Sequence, residues 1–308
     1  MSLITTSLSS AAKVQGRFVY RNVVIHRSRK CPLGESRAYS WRINPIEDLQ
    51  DLVTVPLLQE KDCIFNPSVN EIEKGHELFI QKPGHKIKKV KSVVNLEKLP
   101  VQNIPEVSFV GQSNVGKTSL ISALFGNAVD SHLIKIGKTP GLTKTLQFFN
   151  VGKQLSLVDM PGYGKNIPSY YMESMHTYLQ TRRVLCRSFL LVDSEAGLTD
   201  LDKEGLRMME DLAKPYAIVL TKIDKPRQSV LVKNLMEVLD HAEKKTHICF
   251  PQPFLTCAPS LAGIKYLQTF IAHVTGNLQL HSHEREEKQT TVKHSYSEPQ
   301  GPTKNSSL

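Results

Sequence analysis

The sequence predicts an α/β domain, a mostly parallel sheet with one antiparallel edge strand and helices on both faces. Three observations carry this. Short apolar runs alternate with helical-period segments from residue 105 to about 278, the pattern of strands joined by crossover helices. Two of the runs, Leu146–Val151 and Leu155–Val158, are joined directly at Gly152–Lys153, a hairpin that supplies the antiparallel strand. Several runs end in loops bearing Gly, Asp, Thr and Lys, the edge where doubly wound sheets bind ligands.

Each element follows from its own pattern. Val107–Val110 is an apolar run ending at Gly111, a buried strand entering a loop, and Lys117–Phe125 has helical spacing. Residues 168–183 read as helix and Phe189–Val192 as a buried strand. Thr199 or Asp200 can cap a helix over 201–213, with Pro215 beyond its end. Ala217–Leu220 is a strand, 228–246 a helix, Phe254–Thr256 a short strand and 262–278 a closing amphipathic helix. Residues 46–104 form an extension whose structure the pattern does not define. Its basic run, Lys82, Lys86, Lys88, Lys89 and Lys91, suits either a phosphate backbone or a solvated face. The polar tail, 279–308, is expected to be disordered.

Charge is uneven. The 308 residues carry a net charge of +10. Residues 1–45 hold eight basic residues against the single acid Glu35, so most of the excess sits there. The first 34 residues contain no acid and are rich in Ser and Thr, the composition of a mitochondrial transit peptide, and 1–45 is therefore read as a leader to the matrix. The remainder is only modestly basic, so charge alone does not argue for DNA, and no DNA partner is expected. No apolar run approaches the roughly 18–20 residues of a membrane span. Five cysteines without a C-x-x-C pattern read as reduced thiols.

Four spaced motifs at strand ends, with a fifth segment between the first two, carry chemistry. Gly111-Gln112-Ser113-Asn114-Val115-Gly116-Lys117-Thr118 matches G-x-x-x-x-G-K-[ST] between a strand and a helix. Its glycines let backbone N–H groups converge on phosphates, Lys117 would reach the β- and γ-phosphates, and the Thr118 hydroxyl would bind Mg²⁺. Asp159-Met160-Pro161-Gly162 ends a later strand and fits D-x-x-G. Its carboxylate would hold Mg²⁺ through water, and the Gly162 N–H would bond the γ-phosphate only in the triphosphate state. Thr221-Lys222-Ile223-Asp224 fits [NT]-K-x-D. Asp224 can accept from guanine N1–H and N2–H while the Lys222 stem covers the base. Adenine has no such donor pair, so this element separates GTP from ATP. Between the first two motifs, Gly141-Leu142-Thr143-Lys144-Thr145 follows Pro140. Thr143 is the candidate switch residue, with a metal-binding and catalytic role beside Lys117. Thr256-Cys257-Ala258 after the last strand would offer a backbone N–H to guanine O6. Together these define a Ras-like P-loop GTPase domain over 105–278, with GTP and GDP as substrate and product.

At these residues the chain resembles the EngB family of GTPases, within the TrmE-Era-EngA-EngB-septin-like superfamily. The resemblance adds Lys138-Thr139-Pro140-Gly141, Phe148-Phe149-Asn150 and the family-specific Pro161-Gly162-Tyr163-Gly164. With its leader, the chain looks closest to the mitochondrial branch. The resemblance implies a GTPase that helps assemble the large ribosomal subunit, here the mitochondrial one, through the particle or its rRNA, and a monomer is expected. The alternative is a nucleotide-gated binding module that needs no turnover. Gln112 stands where the family usually has Arg, so one phosphate- or ribosome-facing charge is missing. Cys257 stands where Ser is common. Tyr163 stands where Ras-type enzymes place the water-orienting Gln, so turnover should be slow. In related GTPases lacking that Gln, an Asn at the place of Asn114 helps hold a monovalent cation, which makes K⁺ a further expected cofactor.

Overall fold

The computed structural model describes residues 41–94, 96–101, 103–126, 145–164 and 169–281. Its helices are α1 (Pro45–Gln50), α2 (Val69–Glu77), α3 (Lys117–Leu124), α4 (Ser169–Thr181), α5 (Asp200–Asp211), α6 (Gln228–Lys245) and α7 (Ile264–Val274). Its strands are β1 (Ile87–Val93), β2 (Glu106–Gly111), β3 (Leu146–Val151), β4 (Leu155–Asp159), β5 (Leu185–Asp193), β6 (Tyr216–Thr221) and β7 (Cys249–Leu255). The sheet runs β1-β3-β4-β2-β5-β6-β7. The pairs β2·β4, β2·β5, β5·β6 and β6·β7 are parallel, and β3·β4 is antiparallel.

Sequence and fold agree for the reason the apolar runs suggested. β2, β4 and β6 are buried at every residue, as parallel strands covered on both faces must be. One core cluster joins α1, α4, α5 and α6 to one face of the sheet, with Ile46, Tyr178, Met209 and Leu235 among its members. The other joins α3 and α7, through Ile121, Leu267 and Phe270, to the opposite face.

Two strands are longer than their apolar runs. β5 starts at Leu185 with its polar residues turned onto partners: the Arg187 guanidinium lies 5.5 and 5.4 Å from the Phe250 and Phe270 rings and donates through Nη1 to the Tyr216 carbonyl, and Ser188 Oγ bonds Ser108 Oγ at 2.8 Å. β7 begins at Cys249 despite Pro251 and Pro253. At the sheet's edge a missing backbone donor is tolerated.

The extension is structured and belongs to the fold. β1, within its lysine run, pairs antiparallel onto β3 from Ile87↔Val151 to Val93↔Leu146, so β3 is covered and β1 is the edge. Phe65 packs edge-on against Tyr266 and Phe270, with centroids 5.0 and 4.9 Å away, contacts worth about 0.5–1.5 kcal/mol each beyond burial. Its backbone is held as well, by Gln252 and by the Tyr266 hydroxyl. Helix α2 lies so close on α7 that a Cβ on Gly75 would sit 2.6 Å from Thr269 Cα.

A Ser68–Glu71 capping box starts α2. Burial opposes the Glu71 charge, but bonds from the Ser68 side chain, from the His281 backbone and from further groups of both residues outweigh it and hold the carboxyl at about 2. His281, counted with the tail by composition, is thus pinned by its N–H to Glu71 at 2.8 Å. At the other end Arg42 pairs with Asp48 and Asp51, and Trp41 packs on the core, so residues 41–45, counted with the leader, lie against the domain. The described cysteines, Cys63, Cys186, Cys249 and Cys257, are free thiols.

Candidate functional site

β2 delivers the chain into the first motif at the C-terminal edge of the sheet. Gly111 is wedged under Leu191, whose carbonyl oxygen a Cβ would meet at 2.9 Å. Asn114 and Gly116 have φ of 64° and 108°, the left-handed region that Gly and Asn enter at least cost. The loop therefore curls, and α3 starts at its end with its positive pole toward the loop. Lys117 folds back into this curl, 6% exposed, and donates to the Gly111 and Gln112 carbonyls at 2.8 Å each. Burial pushes its ammonium down to about 8, while Asp159 pulls the other way.

β4 brings Asp159 beside α3. Thr118 Oγ1 donates to Asp159 Oδ2 at 2.7 Å, and Asp159 Oδ1, fully buried, has no hydrogen-bond partner among the described residues. Burial raises the Asp159 carboxyl to about 6 against the pull of Lys117, Thr118 and Lys89. A buried, unpaired carboxylate oxygen next to a hydroxyl is a hard-oxygen donor set that fits Mg²⁺. Thr118 and Asp159 would hold the ion, whose charge would offset that of the phosphates.

The D-x-x-G segment is zipped onto the P-loop. Ser113 N–H donates to the Tyr163 carbonyl at 3.0 Å and Tyr163 N–H to the Gly111 carbonyl at 3.2 Å. Gly162 lies against Ser113 so tightly that a Cβ would come within 2.8 Å of its backbone. Met160 and Pro161 fill the turn, Met160 wholly buried. The Tyr163 ring turns inward, 4% exposed, and its hydroxyl donates to Asp202 Oδ1 at 3.3 Å. No phenol is left to orient a water.

The base-reading strand ends are equally linked. Thr221 Oγ1 donates to the Val115 carbonyl at 2.7 Å. Lys222 has φ 58°, a conformation costing a non-glycine residue on the order of 1 kcal/mol or more. That geometry lets Nζ reach both the Asn114 carbonyl and Asp193 Oδ2 at 2.7 Å. Ile223 is buried beneath the loop, and Asp224 projects outward. The third segment closes beside it: Thr256 N–H bonds the Leu220 carbonyl, Ile223 N–H bonds the Thr256 carbonyl, and the Cys257 thiol donates to Asp224 Oδ1 at 3.1 Å. Ala258 follows, half-buried.

The structure thus brings residues 111–118, 159–162, 221–224 and 256–258 to one edge of the sheet. Thr145 is half-buried, immediately before β3. Gly141, Leu142, Thr143 and Lys144 lie outside the described residues. A separate cavity of about 510 Å³, between residues 56–62 and α6, contains none of the motif residues.

Two features were not legible as site residues. Asp193 locks Lys222, and only its place at a strand end hinted at that. Thr199 reads as a helix cap and is one, in a box with Asp202, but it also accepts from Gln112 Nε2 at 2.6 Å. Gln112 therefore faces α5, and the amide has a structural task that the missing arginine charge did not suggest.

Comparison with known proteins follows the same residues. A family model described as 50S ribosome-binding GTPase matches residues 106–222. A probable GTP-binding protein EngB from Ruegeria sp. is 36% identical over 224 residues, covering 71% of this chain and 97% of that protein. The chain belongs to the EngB family of GTP-binding proteins. EngB from Gluconobacter oxydans is 37% identical over 189 residues, 60% of this chain and 82% of that one. A crystal structure of a probable GTP-binding protein engB aligns with 23% identity and a TM-score of 0.40 over 56% of this chain and 98% of that chain. Among the described residues no helix is long and apolar enough to cross a membrane. As an EngB-family protein the chain is a GTPase, converting GTP and water to GDP and phosphate.

Proposed function

We propose that this EngB-family GTPase works in the mitochondrial matrix, where it assists assembly of the large ribosomal subunit. The observation that carries the reading is the joined site itself. Lys222 touches the P-loop at Asn114, and Tyr163 touches it at Gly111 and Ser113. Base, phosphate and γ-phosphate-sensing segments are therefore mechanically continuous, as a protein that grips a particle in one nucleotide state requires. The acid-free, Ser/Thr-rich N-terminus supports the matrix location. The test is co-sedimentation of the full chain with mitochondrial ribosomal particles in a non-hydrolysable GTP analogue against GDP. Retention in the analogue alone is expected; equal sedimentation in both states counts against it. A fluorescent protein fused behind residues 1–45 should enter mitochondria.

The inward-turned Tyr163 favours slow intrinsic turnover, at or below about 10⁻⁴ s⁻¹, with a partner or an ion supplying the missing group. It also keeps a second reading in play, a nucleotide-gated binder without turnover. That reading predicts that a hydrolysis-dead variant releases particles as wild type does.

We further propose K⁺ as the supplying ion. Asn114 is exposed on the loop, its φ of 64° is native to Asn, and its carbonyl is already taken by Lys222. A cation there would offset charge developing on the bridging oxygen. Single-turnover hydrolysis should be faster in KCl than in NaCl at equal ionic strength, and Asn114→Ala should erase the difference. Equal wild-type rates in the two salts would reject the ion.

A further inference from the structure

The edge of the sheet next to the nucleotide site is a single-sign surface. Residues 78–96 carry five lysines and no acid, and the β3–β4 hairpin over 145–154 adds Lys153 and again no acid. β1 puts Lys88 and Lys91 on the open edge, exposed, with Lys82 and Lys86 before it and Lys153 in the neighbouring turn, where Gly152 N–H bonds the Lys86 carbonyl. Among the described residues none of Lys82, Lys86, Lys88, Lys91 or Lys153 has an ion-pair partner, whereas Lys61, Lys222 and Lys265 are each paired, with Glu243, Asp193 and Glu73. One or two lysines and the bulge between Lys89 and Lys91 would suffice to protect an edge from other strands. Five unpaired ones in a row exceed that need.

We infer that β1 and its flanking turns form a binding edge for a single RNA strand, gripped along its phosphates. The edge is linear, about 20 Å long for a seven-residue strand, which matches a polyanionic chain better than a lipid plane. A membrane-surface site also needs large apolar anchors beside its lysines; the exposed apolar residues here, Ile80, Val90 and Val94, are aliphatic and single, and the aromatic residues of the hairpin, Phe148 and Phe149, are buried. The outer backbone groups of an edge strand remain available to ribose hydroxyls and phosphates.

The edge is wired to the nucleotide site. Lys89 Nζ donates to Gln147 Oε1 at 2.7 Å, Gln147 pairs with Asp159 across β3 and β4, and the Lys89 charge acts on the Asp159 carboxyl. RNA drawn along β1 would thus lie on a strand that β3 alone separates from β4 and the residue that fits Mg²⁺. Only the identity of the RNA, ribosomal or other, rests on the function proposed above; the surface itself does not.

The experiment measures anisotropy of labelled oligouridylate with the full chain across a salt series. It compares wild type with Lys86, Lys88 and Lys91 all changed to Gln, and with the same three changed to Arg. The basic N-terminus is present in all three proteins, so differences report β1. The Gln variant should bind about tenfold or more weakly, with a log–log salt slope smaller by about 2, while the Arg variant keeps the wild-type slope. Unchanged GTP affinity certifies both folds. Identical affinity and slope for wild type and Gln variant would overturn the proposal. So would a Gln variant that loses only its binding to phosphatidylserine–phosphatidylcholine vesicles. If the RNA difference holds but wild type does not sediment with ribosomal particles, the ribosomal reading fails and the RNA edge stands.

Discussion

Asp224→Asn should turn this GTPase into a xanthine-nucleotide protein, weakening GTP by roughly 10³-fold or more and raising XTP above it. A site built to hydrogen-bond its ligand discriminates by factors of about 10⁴ when the pairing is spoiled. The structure supplies the reason that the switch should be clean. Asp224 projects from the loop after β6 and receives the Cys257 thiol on Oδ1, which fixes the carboxylate's orientation and still leaves acceptor sites for both guanine donors. In the variant the thiol still seeks an acceptor, so the amide oxygen should stay on Cys257 and the NH₂ should face outward. There it repels guanine N2–H and donates to the xanthine 2-oxo group. Competition binding of XTP and GTP measures the preference. Adding Cys257→Ala should blunt the xanthine gain, because the amide is then free to turn, whereas Cys257→Ser should preserve it. Retained guanine preference in the single variant would place base reading elsewhere.

The sheet and the site were legible in sequence to different depths. β2, β4 and β6 are buried on both faces, so their residues are mostly apolar and their ends stand out; the motifs sit at those ends. β1 was not legible. A strand whose open edge needs lysines loses the apolar alternation that marks strands, and Lys88 through Lys91 read as a charge run. The first half of β7 was hidden by Pro251 and Pro253, which only an edge position tolerates. Side-chain tasks were hidden for a different reason. Motif spacing places backbone, and it says nothing about the partner a side chain finds across the fold. Tyr163 reads as a vacancy in the catalytic set, yet its phenol is spent on Asp202, some 40 residues away. Gln112 reads as a lost charge and is a tether to Thr199.

Lys117→Ala should remove tight binding of both GTP and GDP, by roughly 10²- to 10³-fold, the equivalent of about 3–4 kcal/mol. Lys117 seats its ammonium inside the P-loop curl, bonded among the described residues to two carbonyls and to no carboxylate. Two of its three donors hold the loop closed, and the third remains for phosphate oxygen. Its burial disfavours the charge in the free protein, so phosphate regains an interaction that solvent does not supply. Truncation leaves the Gly111 and Gln112 carbonyls converging without their cation, and an incoming polyphosphate then meets their negative ends instead of a positive charge. The loss should not be a folding defect. Deleting the buried ammonium relieves its own desolvation cost but orphans two carbonyls and leaves Asp159 without its neighbouring charge, so nucleotide-free thermal stability should fall only modestly beside the loss in affinity. Lys117→Met, which keeps the stem and drops the charge, should match the Ala variant in affinity. Isothermal titration with GTP and GDP, beside melting curves without nucleotide, separates the two effects. Wild-type affinity in either variant would sink the P-loop assignment.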